Sequence, residues 1–171
     1  MNANAIIPPK SHARLNRIKT ASRIIRFLNI FFFIVGATMF IEMLFGWTFF
    51  FPGRRIVISD NHIYRLAADL PSAIFALWLV KNLLGLGCMV VFNFLFRLYE
   101  QGILFSPKNI LYLRFLGYGL IINWAIDYQL QSSLHDMNLS LTPVFGGMLI
   151  IFVAWIMDEG RNLKEEQELT V

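Results

Sequence analysis

Four long apolar stretches, each bounded by charged or turn residues, dominate the pattern of this chain. They cover about residues 24–51, 70–96, 115–134 and 139–157. A helix needs roughly 20 apolar residues to cross the hydrocarbon core of a bilayer, which is roughly 30 Å thick, and each stretch is near or above that length. The pattern therefore predicts an all-α protein, built as a four-span transmembrane helix bundle.

The polar segments divide the chain into three parts. Residues 1–23 form a basic segment, residues 24–157 form the four-helix transmembrane domain, and residues 158–171 form a charged tail. Because apolar residues lie among basic ones in 10–23, this stretch is typical of a helix on the inner membrane surface. Gly160 indicates a break within the tail.

The connections between the stretches carry turn signals. In residues 54–69, β-branched and aromatic residues flank Asp60 and Asn61, which favours a short β-hairpin in the first outer loop. Gly102 is a candidate C-cap for the second helix. Ser106, followed by proline, predicts the start of a helix on the inner side, and the third span is expected from about residue 115.

The second apolar stretch is longer than a bilayer requires, and Lys81 interrupts it. Residues 71–80 therefore either belong to the membrane-spanning helix or lie at the outer interface, with the span starting near Lys81. The pattern leaves both arrangements open.

Basic residues are distributed unequally between the two sides of the predicted membrane. Eleven of the fifteen lysines and arginines fall on the side that holds both termini. An excess of Lys and Arg marks the cytoplasmic side, so we expect both termini in the cytoplasm. The basic N-terminal segment is expected to contact anionic lipid headgroups of the bilayer, and no direct contact with nucleic acid is expected.

Composition agrees with a membrane protein and provides no catalytic signature. The chain is 57% hydrophobic and contains 17 phenylalanines. It shows no phosphate-binding glycine loop, nucleophile elbow or zinc-protease motif, and its three histidines lie in separate regions. We therefore expect a protein that is not an enzyme and that holds no metal and no cofactor. Glycine pairs are expected to allow close helix contacts, namely Gly85/Gly87, Gly117/Gly119 and Gly146/Gly147.

Ionisable residues within the predicted spans form a candidate intramembrane polar cluster. Glu42, Lys81 and Asp127 all fall roughly 20–24 Å from the predicted inner boundary at 1.5 Å rise per residue. Asn123, Asp127 and Gln131 share one stripe of the third helix. The cluster could relay protons, hold an ion or sense a ligand. The structural interpretation is that Lys81 pairs with a carboxylate and fixes the register of the helices, and this interpretation is favoured.

Two segments resemble a known family. The inner turn reads EQGILFSPKNILYLRFLGY and the tail reads DEGRNLKEEQELTV. Together with the four spans, they resemble the bacterial membrane-protein family called domain of unknown function 2975. The residues that carry the resemblance are Gly102, Phe105, Ser106, Asn109, Arg114, Gly117, Gly160, Leu163, Glu165 and Glu166. We take all of these except Gly117 and Leu163 as a candidate cytoplasmic interaction face.

The resemblance implies a multi-pass protein of the bacterial cytoplasmic membrane. Members of this family are often encoded beside a small helix-turn-helix regulator, which favours a role in regulation or signalling. The leading hypothesis is a regulatory or structural protein that acts through protein contacts at its cytoplasmic face, with a protein partner or as a homo-oligomer. The alternative is a small transporter, channel or ion-binding protein that uses the polar cluster.

Overall fold

Four long helices and one pair of short strands make up the structure. The computed structural model describes residues 9–45, 56–59, 62–64, 71–133 and 140–169, with side chains over 15–45, 71–133, 140–163 and 165–167. In chain order the elements are α1 (Pro9–Phe45), β1 (Ile56–Ser59), β2 (His62–Tyr64), α2 (Ser72–Glu100), α3 (Pro107–Ser133) and α4 (Thr142–Leu169). Each helix is long and apolar enough to cross a membrane, which agrees with the predicted helical fold and indicates a multi-pass membrane protein.

The first helix is longer than its apolar stretch. Pro9 lies at its first position, where the missing N–H costs nothing. No glycine or proline follows until Gly36, and Lys, Arg and Leu favour helix. The expectation of a separate surface helix over 10–23 is therefore wrong, because these residues continue without a break into the apolar part of α1.

The other helices also extend beyond the stretches that predict them. The third helix begins at Pro107, as the Ser106-Pro107 start signal predicts, and so it extends beyond the apolar stretch that begins near residue 115. The fourth helix passes through Gly160 without the expected break, since one glycine costs a helix only about 1 kcal/mol. Ser72 begins α2, so residues 72–80 and Lys81 belong to one continuous helix.

The two strands occupy the segment in which the sequence favours a short hairpin. They pair antiparallel, with Ile56 opposite Tyr64 and Val57 opposite Ile63. The predicted turn residues, Asp60 and Asn61, lie outside the described residues. Strand β1 lies against α3.

The helices pack mainly in chain order: α1 on α2, α2 on α3, and α3 on α4. We call the end where α1 begins, α2 joins α3 and α4 finishes the charged end. Nearer the opposite end, Ile74, Trp78 and Leu130 form a buried cluster, and Phe40 of α1 stacks on Trp78. Many large apolar side chains face outward, Phe27 at 72% exposure among them, as expected for a surface in contact with lipid.

Candidate functional site

The turn between α2 and α3 is closed by a Schellman motif. Gly102 has φ +81°, a left-handed conformation that glycine adopts without strain. Its N–H donates to the Tyr99 carbonyl at 3.0 Å, and the Ile103 N–H donates to the Leu98 carbonyl at 3.0 Å. This is the hydrogen-bond pattern of the motif, and it confirms Gly102 as the C-cap glycine of α2.

Ser106 caps the start of α3, as predicted. Its Oγ accepts a hydrogen bond from the Asn109 N–H at 3.3 Å, and Pro107 occupies the first helical position. The fully buried Asn109 also donates from Nδ2 to the carbonyls of Ile103 and Leu104, at 2.6 and 2.8 Å. Asn109 thus ties the first turn of α3 back to the loop that precedes it.

A carboxylate held by two arginines joins α1 to α2 at the charged end. Glu100 Oε1 accepts a hydrogen bond from Arg23 Nε at 2.9 Å, and Glu100 Oε2 lies 2.5 Å from Arg26 Nη1 in an ion pair. Close by, Lys19 and Leu15 pack against the space beside Gly102, with Lys19 Cε 3.0 Å from where a Cβ on Gly102 would lie. The basic part of α1 therefore lies on the α2–α3 turn.

A second carboxylate joins α3 to α4 in the same way. Asp158 accepts from Arg114 Nη2 at 2.8 Å and lies 3.3 Å from Arg161 Nη2. Arg161 continues the chain of charges to Glu165, 3.4 Å away on the next turn. Arg114 and Glu165 belong to the predicted interaction face. Arg114 joins α3 to α4, whereas Glu165 pairs with a residue of its own helix.

Close helix contacts are found at three of the six glycines predicted to make them. A Cβ on Gly117 would lie 2.8 Å from the Gly147 carbonyl oxygen, and one on Gly147 would lie 2.7 Å from that of Gly117. A Cβ on Gly119 would lie 2.5 Å from the sulfur of Cys88. The prediction is wrong for Gly85, Gly87 and Gly146, where an added Cβ meets no atom of the described residues within 4 Å.

Two apolar residues among those that carry the family resemblance point outward. Phe105 is 58% exposed and Leu163 is 53% exposed. The pairings of Gly117 with Gly147 and of Arg114 with Asp158 are antiparallel, so Leu163 lies at about the level of Phe105 along the bundle. Lys108 and Glu166 are also exposed at this end, and Gly160 lies on the same part of α4. We call Phe105, Lys108, Leu163 and Glu166 the exposed rim.

The intramembrane cluster contains one ion pair. Lys81 Nζ and Asp127 Oδ1 are in contact, each side chain about one-third exposed at 35% and 32%, which confirms that Lys81 pairs with a carboxylate. On the same stripe of α3, Asn123 has a buried Oδ1 with no hydrogen-bond partner among the described residues. Gln131 is half-buried, and Glu42 is buried on α1.

Three polar residues in these arrangements were not singled out by the sequence. Glu100 and Asp158 receive the arginines, and Asn29 donates from Nδ2 to the Met89 carbonyl at 2.9 Å, joining α1 to α2. An asparagine inside an apolar run is a signal that could have identified Asn29. The carboxylates carry no such signal, since charged residues at helix ends are common.

Comparisons with known proteins identify one family. The family model described as "Protein of unknown function (DUF2975)" matches residues 56–171, about two-thirds of the chain. The matched part includes both strands, α2, α3 and α4, whereas α1 lies before it. Neither the curated proteins nor the solved structures gave a match to this chain.

Proposed function

Given that the chain belongs to the DUF2975 family, we propose that it is a non-enzymatic, multi-pass protein of the bacterial inner membrane. In this proposal the charged end faces the cytoplasm, and the protein acts in regulation or as a structural component by contacting another protein through the exposed rim. The observation that carries the proposal is the division of roles among the residues at that end.

Five of the ten residues that carry the family resemblance have an architectural role. Gly102, Ser106 and Asn109 build the α2–α3 turn, while Arg114 and Gly117 fasten α3 to α4. Burial, capping and close packing explain why these residue types stand at these positions. They therefore need no partner to account for them.

Phe105 and Leu163 have no such architectural account. Both expose more than half of their apolar surface at the level where charged residues surround them. An exposed aromatic or aliphatic side chain beside charges is typical of a contact point in a protein interface, where a buried apolar centre is bordered by polar groups. This supports protein contact at the exposed rim.

Site-specific photocrosslinking tests the proposal. We expect p-benzoylphenylalanine in place of Phe105 to give a discrete protein adduct in membranes of the native host. Leu163→Ala should weaken that adduct, because it removes the neighbouring apolar contact. The matched control is the same photoreactive group in place of Phe145, which is 66% exposed but lies in the opposite half of α4. Absence of an adduct at Phe105, or the same adduct at Phe145, would contradict the proposal.

The ion pair favours a second candidate function. Lys81, Asp127 and the unpartnered Oδ1 of Asn123 place polar groups within helices that can span a membrane, and such groups mark ion or proton pathways in many membrane proteins. This supports the alternative of a small transporter, channel or ion-binding protein. The two candidates predict different outcomes. Under the alternative, Asp127→Asn should abolish function and changes at the exposed rim should leave it intact. Under the leading proposal, changes at the exposed rim should abolish function and Asp127→Asn should leave it intact.

A further inference from the structure

An apolar groove runs along the half of the bundle nearest the charged end. Its volume is about 480 Å³, within the roughly 300–1,000 Å³ usual for ligand sites. One face of α2, from Cys88 to Tyr99, forms its floor together with α3, while Asn29 of α1 and Ile150 of α4 lie at its sides. The main helix contacts follow chain order, so α1 and α4 make at most a marginal contact where both border the groove.

The length of the groove matches one leaflet of a bilayer. Cys88 and Tyr99 are separated by 11 residues along α2, which corresponds to about 17 Å at 1.5 Å per residue. Half of the hydrocarbon core is about 15 Å thick. The groove is therefore about as long as the hydrocarbon part of one leaflet, and it ends at Tyr99, one residue before the end of α2.

Positive charge is concentrated where the groove ends. Glu100 follows Tyr99 and is held by Arg23 and Arg26. One carboxylate neutralises only one of the two guanidinium groups, so this cluster keeps a net positive charge. Arg26 lies one helical turn from Asn29, which borders the groove.

We propose that the groove binds one acyl chain of an anionic glycerophospholipid from the leaflet at the charged end, with the lipid phosphate beside Arg26. The apolar lining suits the chain, and the excess cation lies at the depth of the headgroup, where each Lys or Arg near a membrane surface attracts anionic lipid. A second copy of the protein fits less well, because its own charged end would bring the same cations to this position. This inference is independent of the protein contacts proposed above.

Native mass spectrometry of the full chain in nanodiscs tests the binding of the acyl chain. In nanodiscs of equal parts phosphatidylglycerol and phosphatidylcholine, we expect the released protein to retain one phosphatidylglycerol. Leu120→Trp fills the groove and should abolish this retention. The control, Leu111→Trp, places the same bulk on α3 at a side chain that is 63% exposed and should leave retention unchanged. Thermal melting followed by circular dichroism verifies that both variants are folded.

The preference for an anionic headgroup is tested separately. Arg26→Gln leaves Glu100 paired with Arg23 and removes the cation proposed to lie beside the lipid phosphate, so the preference for phosphatidylglycerol over phosphatidylcholine should fall about fivefold. Lys108→Gln removes an exposed charge from the same end and should leave the preference unchanged. The inference is overturned if the two lipids are retained in their mixing ratio, or if Leu120→Trp retains lipid like the unmodified chain. Neither result bears on the adducts at Phe105, so failure here leaves the proposed function standing.

Discussion

At the level of single residues, the charged end is held by ion pairs between helices and by side-chain hydrogen bonds to the α2–α3 loop. Asn109 is the clearest case, because its side chain is fully buried and donates to two loop carbonyls. A buried carbonyl that loses its donor retains its full desolvation cost. The turn therefore depends on Asn109 more than on the surface charges around it.

Replacing Asn109 should destabilise the protein measurably. Asn109→Leu has a similar size but donates nothing to the carbonyls of Ile103 and Leu104, and the expected loss is about 1–3 kcal/mol of unfolding free energy. Ser106→Ala removes only the cap and should cost about 1 kcal/mol. Unfolding in mixed detergent, followed by circular dichroism, measures both. The control is Lys108→Leu at the exposed neighbouring position; an equal loss there would contradict the role given to Asn109.

The ion pair between Lys81 and Asp127 should show coupling. Asp127→Leu or Lys81→Met alone leaves one charge unpaired within a spanning helix, at a cost of up to about 3 kcal/mol of unfolding free energy. Water near these partly exposed side chains lowers that cost. Lys81→Met combined with Asp127→Leu removes both charges and should recover most of the loss. A double-mutant cycle on unfolding free energies measures the coupling. Purely additive losses would show that the pair contributes nothing to stability.

At the level of elements, hydropathy predicted how many helices there are but not where they end. Hydropathy detects the apolar part of a helix, whereas the helix itself continues through residues that favour it, such as the basic run of α1 and the acidic tail of α4. Local turn chemistry was more informative. Gly102 and Ser106 were predicted as caps because a C-cap glycine and a serine before proline each have one dominant structural use.

Glycine spacing alone could not distinguish a packing glycine from an open one. Gly146 and Gly147 are adjacent, yet only Gly147 meets α3, because successive residues on a helix point in directions about 100° apart. Deciding between them requires knowing which face of α4 meets α3. A membrane helix is apolar on most of its faces, so the sequence pattern does not identify the face that packs.

This adjacency provides a matched test of the α3–α4 contact. Gly147→Ala places a Cβ 2.7 Å from the Gly117 carbonyl oxygen, so the helices must separate, and we expect a loss of about 1–3 kcal/mol. Gly146→Ala has open space around it and should be neutral, or stabilising by up to about 1 kcal/mol, through helix propensity. Thermal unfolding in detergent compares the two. Equal effects at both positions would contradict the close contact.

At the level of the whole molecule, the sequence could predict a helical membrane protein but not the order in which its helices pack. The depths of Lys81 and Asp127 could be matched by counting residues, and the two residues do meet. The partners of Arg26 and Arg114 could not be predicted, because many acids lie near helix ends and only packing selects Glu100 and Asp158. The groove could not be predicted either, since it arises where α1 and α4 make at most a marginal contact among the described residues.

The orientation of the whole molecule is the remaining prediction. The salt bridges bring the start of α1, the α2–α3 turn and the end of α4 to one end of the bundle. Eleven of the fifteen basic residues were assigned to this side, and Lys and Arg flanking spans are retained in the cytoplasm. We therefore expect a fluorescent protein fused to the C-terminus to fluoresce in the cytoplasm. Alkaline phosphatase inserted within 54–69 should be active, because that segment lies outside the cytoplasm. Insertion of the phosphatase within 101–106 is the control and should be inactive. Phosphatase activity at 101–106, or its absence at 54–69, would contradict this orientation and would place the exposed rim outside the cytoplasm.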